Sequence, residues 1–278
     1  MTFYVKPWKD ADSGRLKQME QRISQELDLI EKEHRVKIIL ASESGSRAWG
    51  FPSNDSDYDV RFIYVNKPDW YLTIGNKRDV IELPGDEIFD INGWDLKKAL
   101  QLMRKSNSPL AEWLSSPIKY RALPKEYDKL ISLSKVAFMP ESSCHHYLAM
   151  ANNSVKKLGT GSEAKLKTYM YVLRPIFCCE WIIQHLSQPP MNISDLMDEL
   201  NVETPLKEKV SELIDIKRGH SEGFKVERSE YIDSYICSKL ISLRDQFPRN
   251  PQKPDLDLFD DVFRSTVKEV GCLSHDMP

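Results

Sequence analysis

Two aspartates that open a predicted strand carry the strongest chemical signal in this sequence. Asp57 and Asp59 begin the stretch YDVRFIYV, an apolar, β-branched run from Tyr58 to Val65 that is typical of a strand. Because strand side chains alternate between faces, both carboxylates project from one face, about 7 Å apart. Two acids that close repel each other unless a cation lies between them, and hard oxygen ligands suit Mg²⁺ or Mn²⁺. The pair therefore predicts a divalent metal site.

A glycine–serine pair precedes these acids and follows another strand. Residues 36–40 (VKIIL) are short, apolar and β-branched, which predicts a buried strand. Gly45 and Ser46 follow it, and ten residues separate Ser46 from Asp57. Such a turn exposes backbone N–H groups, with no Cβ in the way at the glycine, and it can bind phosphate oxygens. Together, the turn and the acids predict a metal–triphosphate site.

Two other interpretations of the acidic segment are open. Taken alone, DSDYD is also typical of a polar turn, since Asp and Ser favour turns and caps. Asp55, Asp57 and Asp59 mimic the start of an EF-hand loop, but Val60 and Asn66 stand where that loop needs Gly and Glu. The order strand, Gly-Ser, ten residues, Asp-x-Asp and strand is more specific than either half.

The surrounding pattern predicts an α+β unit followed by helices. Residues 12–34 place apolar side chains at steps of three and four, which predicts an amphipathic helix. Strand signals then continue at 71–74, 80–83 and 88–91 and mostly stop after Gly93. We therefore expect a domain with a mixed sheet and flanking helices over residues 1–118 and a helical domain over 119–278. The helices of the second domain are expected near 143–157, 163–187, 205–217, 229–246 and 258–269.

One predicted helix of the second domain carries polar side chains on a single face. Lys167, Tyr171 and Arg174 stand at i, i+4 and i+7, so they share that face beside an apolar one. Cations there could bind a triphosphate and the tyrosine could stack on a base. A solvated face with ordinary ion pairs is the alternative. Lys217 and Arg218 are expected to be surface charges.

Composition limits the class of protein. The chain has 278 residues, 41% hydrophobic and 29% charged, with a net charge of −3, which excludes a strongly basic protein that coats nucleic acid by bulk charge. No run approaches the roughly 18 apolar residues that a membrane span needs, and no signal peptide is evident. The odd number of cysteines, 5, without a Cys-x-x-Cys pair favours reduced thiols and a cytoplasmic protein.

The stretch GSRAWGFPSNDSDYDVRFIYV resembles the nucleotidyltransferase signature of the DNA polymerase β superfamily. More narrowly, it is similar to the family that includes the polymerase-β-like protein of bacterial RNA-repair operons. The resemblance continues in residues 93–120, in KTYMYVLRPIFCCEW at 167–181 and in LIDIK at 213–217, and covers roughly residues 36–220. It implies a polymerase-β-like catalytic domain followed by a helical domain.

The resemblance also implies roles for individual residues. Gly45 and Ser46 would bind the nucleotide phosphates, and Asp57 and Asp59 would hold two divalent ions, Mg²⁺ or Mn²⁺. The superfamily uses a third catalytic carboxylate on a neighbouring strand, and Asp90 fits best because it lies between Phe89 and Ile91.

Several of these assignments leave alternatives open. Glu87 and Asp95 are rivals of Asp90 as the third carboxylate, although Asp95 also suits a helix cap. Arg47 would contact a phosphate or brace its loop. The resemblance favours nucleotide binding by the three residues that share a helix face, Lys167, Tyr171 and Arg174.

The reaction implied is a two-metal transfer of a nucleoside monophosphate from an NTP to an acceptor hydroxyl, with release of pyrophosphate. The expected acceptor is an RNA end, such as that of tRNA. The alternatives are adenylylation of a Tyr, Ser or Thr of a partner protein, transfer to a small molecule, and a non-catalytic module that binds NTP or RNA. Base preference and oligomeric state stay open.

Overall fold

The structure is a computed structural model that describes residues 13–85 and 88–271. Glu87, the first twelve residues and Cys272 lie outside the described residues. The architecture is α+β, a mixed sheet with helices on both faces together with a helical part, as the sequence predicts. In the described ranges, no helix has the length and apolar character needed to cross a membrane.

A mixed sheet organises the first part of the chain. Its strands are β1 (Lys37–Glu43), β2 (Tyr58–Val65), β3 (Val80–Glu82), β4 (Phe89–Asp95) and β5 (Lys119–Ala122). Their order across the sheet is β3-β4-β2-β1-β5. β2 and β4 run parallel and the other neighbours are antiparallel. The parallel pair places the first residues of β2 and β4 at the same edge of the sheet.

One face of this sheet is covered by α1 (Ser13–His34), the helix predicted over 12–34. Its buried side chains pack against Val60, Phe62 and Tyr64 of β2. Side chains of opposite parity on β2, which include the acids, therefore point away from α1. The buried residues of the helix are Met19, Ile23, Leu27 and Ile30.

The opposite face of the sheet is covered by three helices that follow β4 and by the last helix of the described chain. They are α4 (Leu96–Met103), α5 (Ser108–Ser115), α6 (Pro124–Val136) and α12 (Leu256–Val270). The sheet and its core therefore continue beyond residue 118, where the sequence placed the domain boundary. β5 pairs with β1, and the last helix returns to pack Phe259, Val267 and Val270 against this face. Long-range packing of this kind leaves no local signal in the sequence.

The helical part is built around one buried helix. Its elements are α7 (Pro140–Leu158), α8 (Leu166–His185), α9 (Ile193–Glu199), α10 (Thr204–Gly219), α11 (Glu230–Ser242) and a 3₁₀ turn (Leu243–Gln246), with a two-stranded ribbon of β6 (Glu163–Lys165) and β7 (Lys225–Glu227). The segment that follows β1 begins with the short helix α2 (Gly45–Ala48), and its Ala48, Trp49 and Phe51 join the apolar core around α8. This segment therefore anchors the Gly-Ser turn between the sheet and the helical part.

The sequence analysis predicted one strand that does not form and missed three short strands. Residues 71–74 do not form a strand, because Pro68 begins a short helix, α3 (Pro68–Tyr71), and Leu72 and Ile74 beyond it are exposed. The sequence also missed the strands after Gly93, namely β5, β6 and β7. These strands have only three or four residues and lack an apolar alternation.

Candidate active site

The structure brings two of the predicted acids side by side. Asp59 on β2 and Asp90 on β4 are register partners in the parallel pair. Asp57 precedes Asp59 by two residues and is exposed, and its carboxylate has no hydrogen bond or ion pair within the described ranges. Three carboxylates from two adjacent strands therefore lie at one edge of the sheet.

Arg61, which the sequence analysis missed, lies between two of these acids. Its Nη2 is 2.9 Å from Asp59 Oδ1 and 2.6 Å from Asp90 Oδ2, and its Nη1 donates to the Asp90 carbonyl oxygen at 2.7 Å. The signal was available, because Arg61 has the same strand parity as Asp57 and Asp59. Arg61 joins β2 to β4 and compensates part of the negative charge.

The carboxylate oxygens of these acids are suitable ligands for a hard divalent cation, but the acids are not arranged around a common ion position. Within residues 13–85 and 88–271, no three His, Cys, Asp or Glu side chains lie close enough together to hold an ion as they stand. Burial raises the pKa of Asp59. The charge of Arg61 lowers that pKa, while the charges of Asp57 and Asp90 raise it further. A cation beside them would relieve that repulsion.

Gly45 lies directly against the Asp59 carboxylate. A Cβ at this position would be 2.0 Å from Asp59 Oδ2, and the glycine has a φ of +59°. The Ser44 N–H donates to the Asp59 carbonyl oxygen at 2.8 Å, which ties the turn to β2. The predicted association of the Gly-Ser turn with the acids is therefore a direct contact, and only glycine has room for it.

The hydroxyl of Ser46 belongs to a buried serine cluster. Ser46 donates to Ser56 Oγ at 3.1 Å, and the Ser53 N–H donates to the same oxygen at 2.9 Å. Arg47 braces this loop, donating to the carbonyl oxygens of Asp57 and Ser56 at 3.0 and 2.7 Å. Of the two roles open to Arg47, its contacts match the bracing of the loop.

Glu43 is a second site residue that the sequence analysis missed. It is fully buried at the end of β1, where its Oε1 accepts the Asp59 N–H at 3.0 Å and its Oε2 accepts the Tyr120 hydroxyl. Burial raises the pKa of Glu43 to about 7, although the bond from Tyr120 lowers it. An acid within an apolar strand was the available signal. The bond fixes the backbone that carries Asp59.

Two of the three polar residues predicted on α8 face the acids. The charge of Lys167 lowers the pKa of Asp59, although less than that of Arg61 does. Burial, and then the charges of Asp59 and Glu222, raise the pKa of the Tyr171 hydroxyl. The Tyr171 ring lies edge-on to Trp49, with centroids 5.3 Å apart. Lys167 and Tyr171 therefore lie beside the candidate site, and their binding of a nucleotide stays a prediction.

Arg174, the third residue of that face, lies in the core instead. It is 1% exposed, its Nη1 lies 2.9 Å from Glu112 Oε1, and its Nε donates to the Met191 carbonyl oxygen. Its guanidinium also stacks on Trp49, 4.5 Å from the ring centroid. In this arrangement Arg174 cannot contact a phosphate, because its hydrogen-bonding groups are occupied and closed to solvent. It supports the loop through Trp49.

Replacing Arg174 with Met should therefore destabilise the fold. We expect the free energy of unfolding to fall by about 3 kcal/mol or more, since Glu112 would stay buried without its cation. Denaturant titration measures this loss. Arg264→Met is the matched control, because Arg264 pairs with Asp261 on the surface and its loss should cost less than about 1 kcal/mol. An unchanged midpoint in Arg174→Met would contradict the supporting role.

The candidates for the third carboxylate differ in their positions in the structure. Asp95 is fully buried at the far end of β4, opposite Tyr64, where it caps α4 by accepting the Lys97 N–H at 2.8 Å. Its role as a helix cap is confirmed. Glu87 lies outside the described residues, so Asp90 is the rival that the structure places beside Asp59.

Comparisons with known proteins identify the class of protein that carries these acids and this turn. The class is that of the polymerase-β-like nucleotidyltransferases, at the level of the superfamily. More narrowly, the chain belongs to the RNA repair pathway DNA polymerase beta family, whose model matches residues 19–265.

Two individual proteins are similar to this chain. The uncharacterized protein YcgL of Bacillus subtilis (strain 168) is 50% identical over 222 residues, which are 80% of this chain and 85% of that protein. The crystal structure of a nucleotidyltransferase-like protein from Exiguobacterium sibiricum 255-15 is 11% identical, with a TM-score of 0.29. That match covers 91% of this chain and 78% of the other, but a TM-score so low supports no conclusion.

Proposed function

We propose that this protein transfers a nucleoside monophosphate from an NTP to an acceptor hydroxyl. The observation that carries the proposal is the register pair of Asp59 and Asp90, with Asp57 just before the same strand and Gly45 against the Asp59 carboxylate. The acceptor hydroxyl would lose its proton to water, and its oxygen would form a bond to the α-phosphorus while the bond to pyrophosphate breaks. Such a reaction depends mainly on position and on compensation of charge, and this site supplies both.

Asp57 and Asp59 would hold Mg²⁺ or Mn²⁺, and Asp90 would complete the site of a second ion. Bound ions would neutralise the phosphates and lower the pKa of the attacking hydroxyl. Arg61 would keep Asp59 and Asp90 at a fixed spacing while the ions bind. Glu43 would hold the Asp59 backbone, so that its carboxylate stays against Gly45.

Lys167 and Tyr171 would act on the nucleotide from the helical part. The Lys167 ammonium group is partly exposed beside the acids, so it would attract the phosphates. Tyr171 packs edge-on against the buried Trp49 and is itself partly exposed, so its ring would contact a base. The turn at Gly45 and Ser46 would bind phosphate oxygens through backbone N–H groups and the serine hydroxyl.

The acceptor that we propose is an RNA end, such as that of tRNA. Support comes from the family to which the chain belongs, which is an RNA repair family. A net charge of −3 means that RNA would be bound by local contacts rather than by bulk charge.

A labelling experiment tests this function. The full chain is incubated with Mg²⁺ or Mn²⁺, cell extract and each of the four α-labelled NTPs, and the product is divided between nuclease and protease. We expect nuclease-sensitive label that is absent with Asp59→Asn. Label removed only by protease would instead show transfer to a protein. No label with any NTP would favour a non-catalytic binding module.

A further inference from the structure

A buried lysine lies beside the serine cluster, with its ammonium group 5.8 Å from the centroid of the Phe51 ring. Lys217, expected to be a surface charge, is 1% exposed, and its Nζ donates to Ser53 Oγ at 2.7 Å. Within the described ranges, no carboxylate lies within ion-pair distance of this ammonium group. A buried charge without a counter-ion is costly, so this position indicates a site that an anion completes.

The hydroxyls around Lys217 form a hydrogen-bonded chain that leads to one point, a carboxylate at the end of the chain. Ser46 donates to Ser56, Ser53 and Ser56 share a hydrogen bond of 3.2 Å, and Ser56 in turn donates to Glu222 Oε1 at 3.5 Å. All three serines are buried. The chain of hydroxyls therefore ends at a carboxylate, which is the arrangement expected around a bound anion.

Glu222 occupies that point from a loop between α10 and β7. Its Oε2 is 2.6 Å from Lys167 Nζ, and its backbone N–H donates to Asp55 Oδ1 at 2.9 Å. Both partners of the Lys167–Glu222 pair are about one-third exposed, so the pair lies at the mouth of the cluster.

We propose that Lys217, Lys167 and the Ser53 and Ser56 hydroxyls form a site for the terminal phosphates of the nucleotide, which Glu222 fills until a triphosphate displaces it. This inference rests on the proposed function, because the cluster is joined through Ser46 to the turn that touches Asp59. Phosphate oxygens match the donors and carry more charge than one carboxylate. Burial lowers the pKa of Lys217 to about 8, with Glu222 opposing, so the ammonium group stays charged at pH 7.

The site makes the third phosphate important for affinity. A nucleoside monophosphate, with its single phosphate, would meet fewer of these donors than a triphosphate. Glu222 would lower the affinity for triphosphate by competing for Lys167 and by repelling the incoming charge.

The test measures binding of inorganic triphosphate to the full chain by calorimetry, without metal and without acceptor. We expect Glu222→Gln, which keeps the size of the side chain, to bind about fivefold more tightly than the wild type. Lys217→Met should bind at least about tenfold more weakly. Glu227→Gln, which removes an exposed charge five residues away, is the matched control and should bind as the wild type does. AMP binding should be unaffected by Glu222→Gln.

Equal or weaker triphosphate binding by Glu222→Gln would overturn the inference, and this position, about one-third exposed, should tolerate the substitution. For Lys217→Met, circular dichroism establishes first that the variant is folded. Because the assay needs no transfer, the two proposals fail separately. Tighter binding by Glu222→Gln without any nucleotide transfer would leave the phosphate site and refute the proposed function. Nucleotide transfer together with unchanged triphosphate binding in both variants would support the proposed function and refute the phosphate site.

Discussion

Replacing Asp59 with Asn is expected to slow nucleotide transfer by at least about 10³-fold while the protein stays folded. Asp59 lies at the centre of the site, beside Asp90, bonded to Arg61 and against Gly45. Asn has the same shape, so those contacts keep their geometry, but it offers no anionic oxygen to a divalent ion. Single-turnover transfer from an α-labelled NTP measures the effect.

The fold should tolerate this change. The raised pKa of Asp59 means that its charged form is less favourable in the folded chain than in the unfolded one, and Asn removes that cost. Arg61 keeps its ion pair with Asp90. Asp69→Asn, an exposed acid on α3, is the control and should transfer normally. Transfer by Asp59→Asn at the wild-type rate would refute the assignment of the acids.

Replacing Gly45 with Ala should be the next most damaging change, with transfer reduced by at least about 10²-fold. The new Cβ would lie 2.0 Å from Asp59 Oδ2, so the carboxylate must move away from the position that it shares with Asp90. A displacement of about 1 Å in a reacting group is enough for such a loss. The same single-turnover assay applies.

Comparison with a substitution at a second glycine distinguishes the effect of crowding from the effect of backbone strain. Gly159 also has a positive φ, +72°, but nothing lies within 4 Å of the place where its Cβ would be. Gly159→Ala should therefore lose about 1–3 kcal/mol of stability from strain alone and keep its transfer activity. If Gly45→Ala were as active as Gly159→Ala, contact with Asp59 would not explain why a glycine stands at position 45.

Features that depend on neighbouring residues were predictable. β2 was expected over Tyr58 to Val65 and has those bounds, and Val60 and Phe62 pack on the face opposite the acids. Asp95 caps α4 as expected. In each case the physical cause, alternation along a strand or a side chain bonded to a nearby N–H, acts over a few residues.

Features that depend on distant residues were not predictable. Asp90 and Asp95 have similar local sequences, and only the register of β4 against β2 places one beside Asp59 and the other far along the strand. Arg174 has the spacing of a surface stripe, yet it is paired with Glu112 in the core.

The sequence by itself determined the class of protein, the strand that carries the acids and the turn that precedes it. Only the tertiary structure decided which cations belong to the site. The local sequence around Arg61, Lys217 and Arg174 allows each side chain to lie in solvent, in the core or beside a phosphate. Burial and the charges brought near by folding set the role of each, because the energy of a charge depends on its surroundings rather than on its neighbours in sequence.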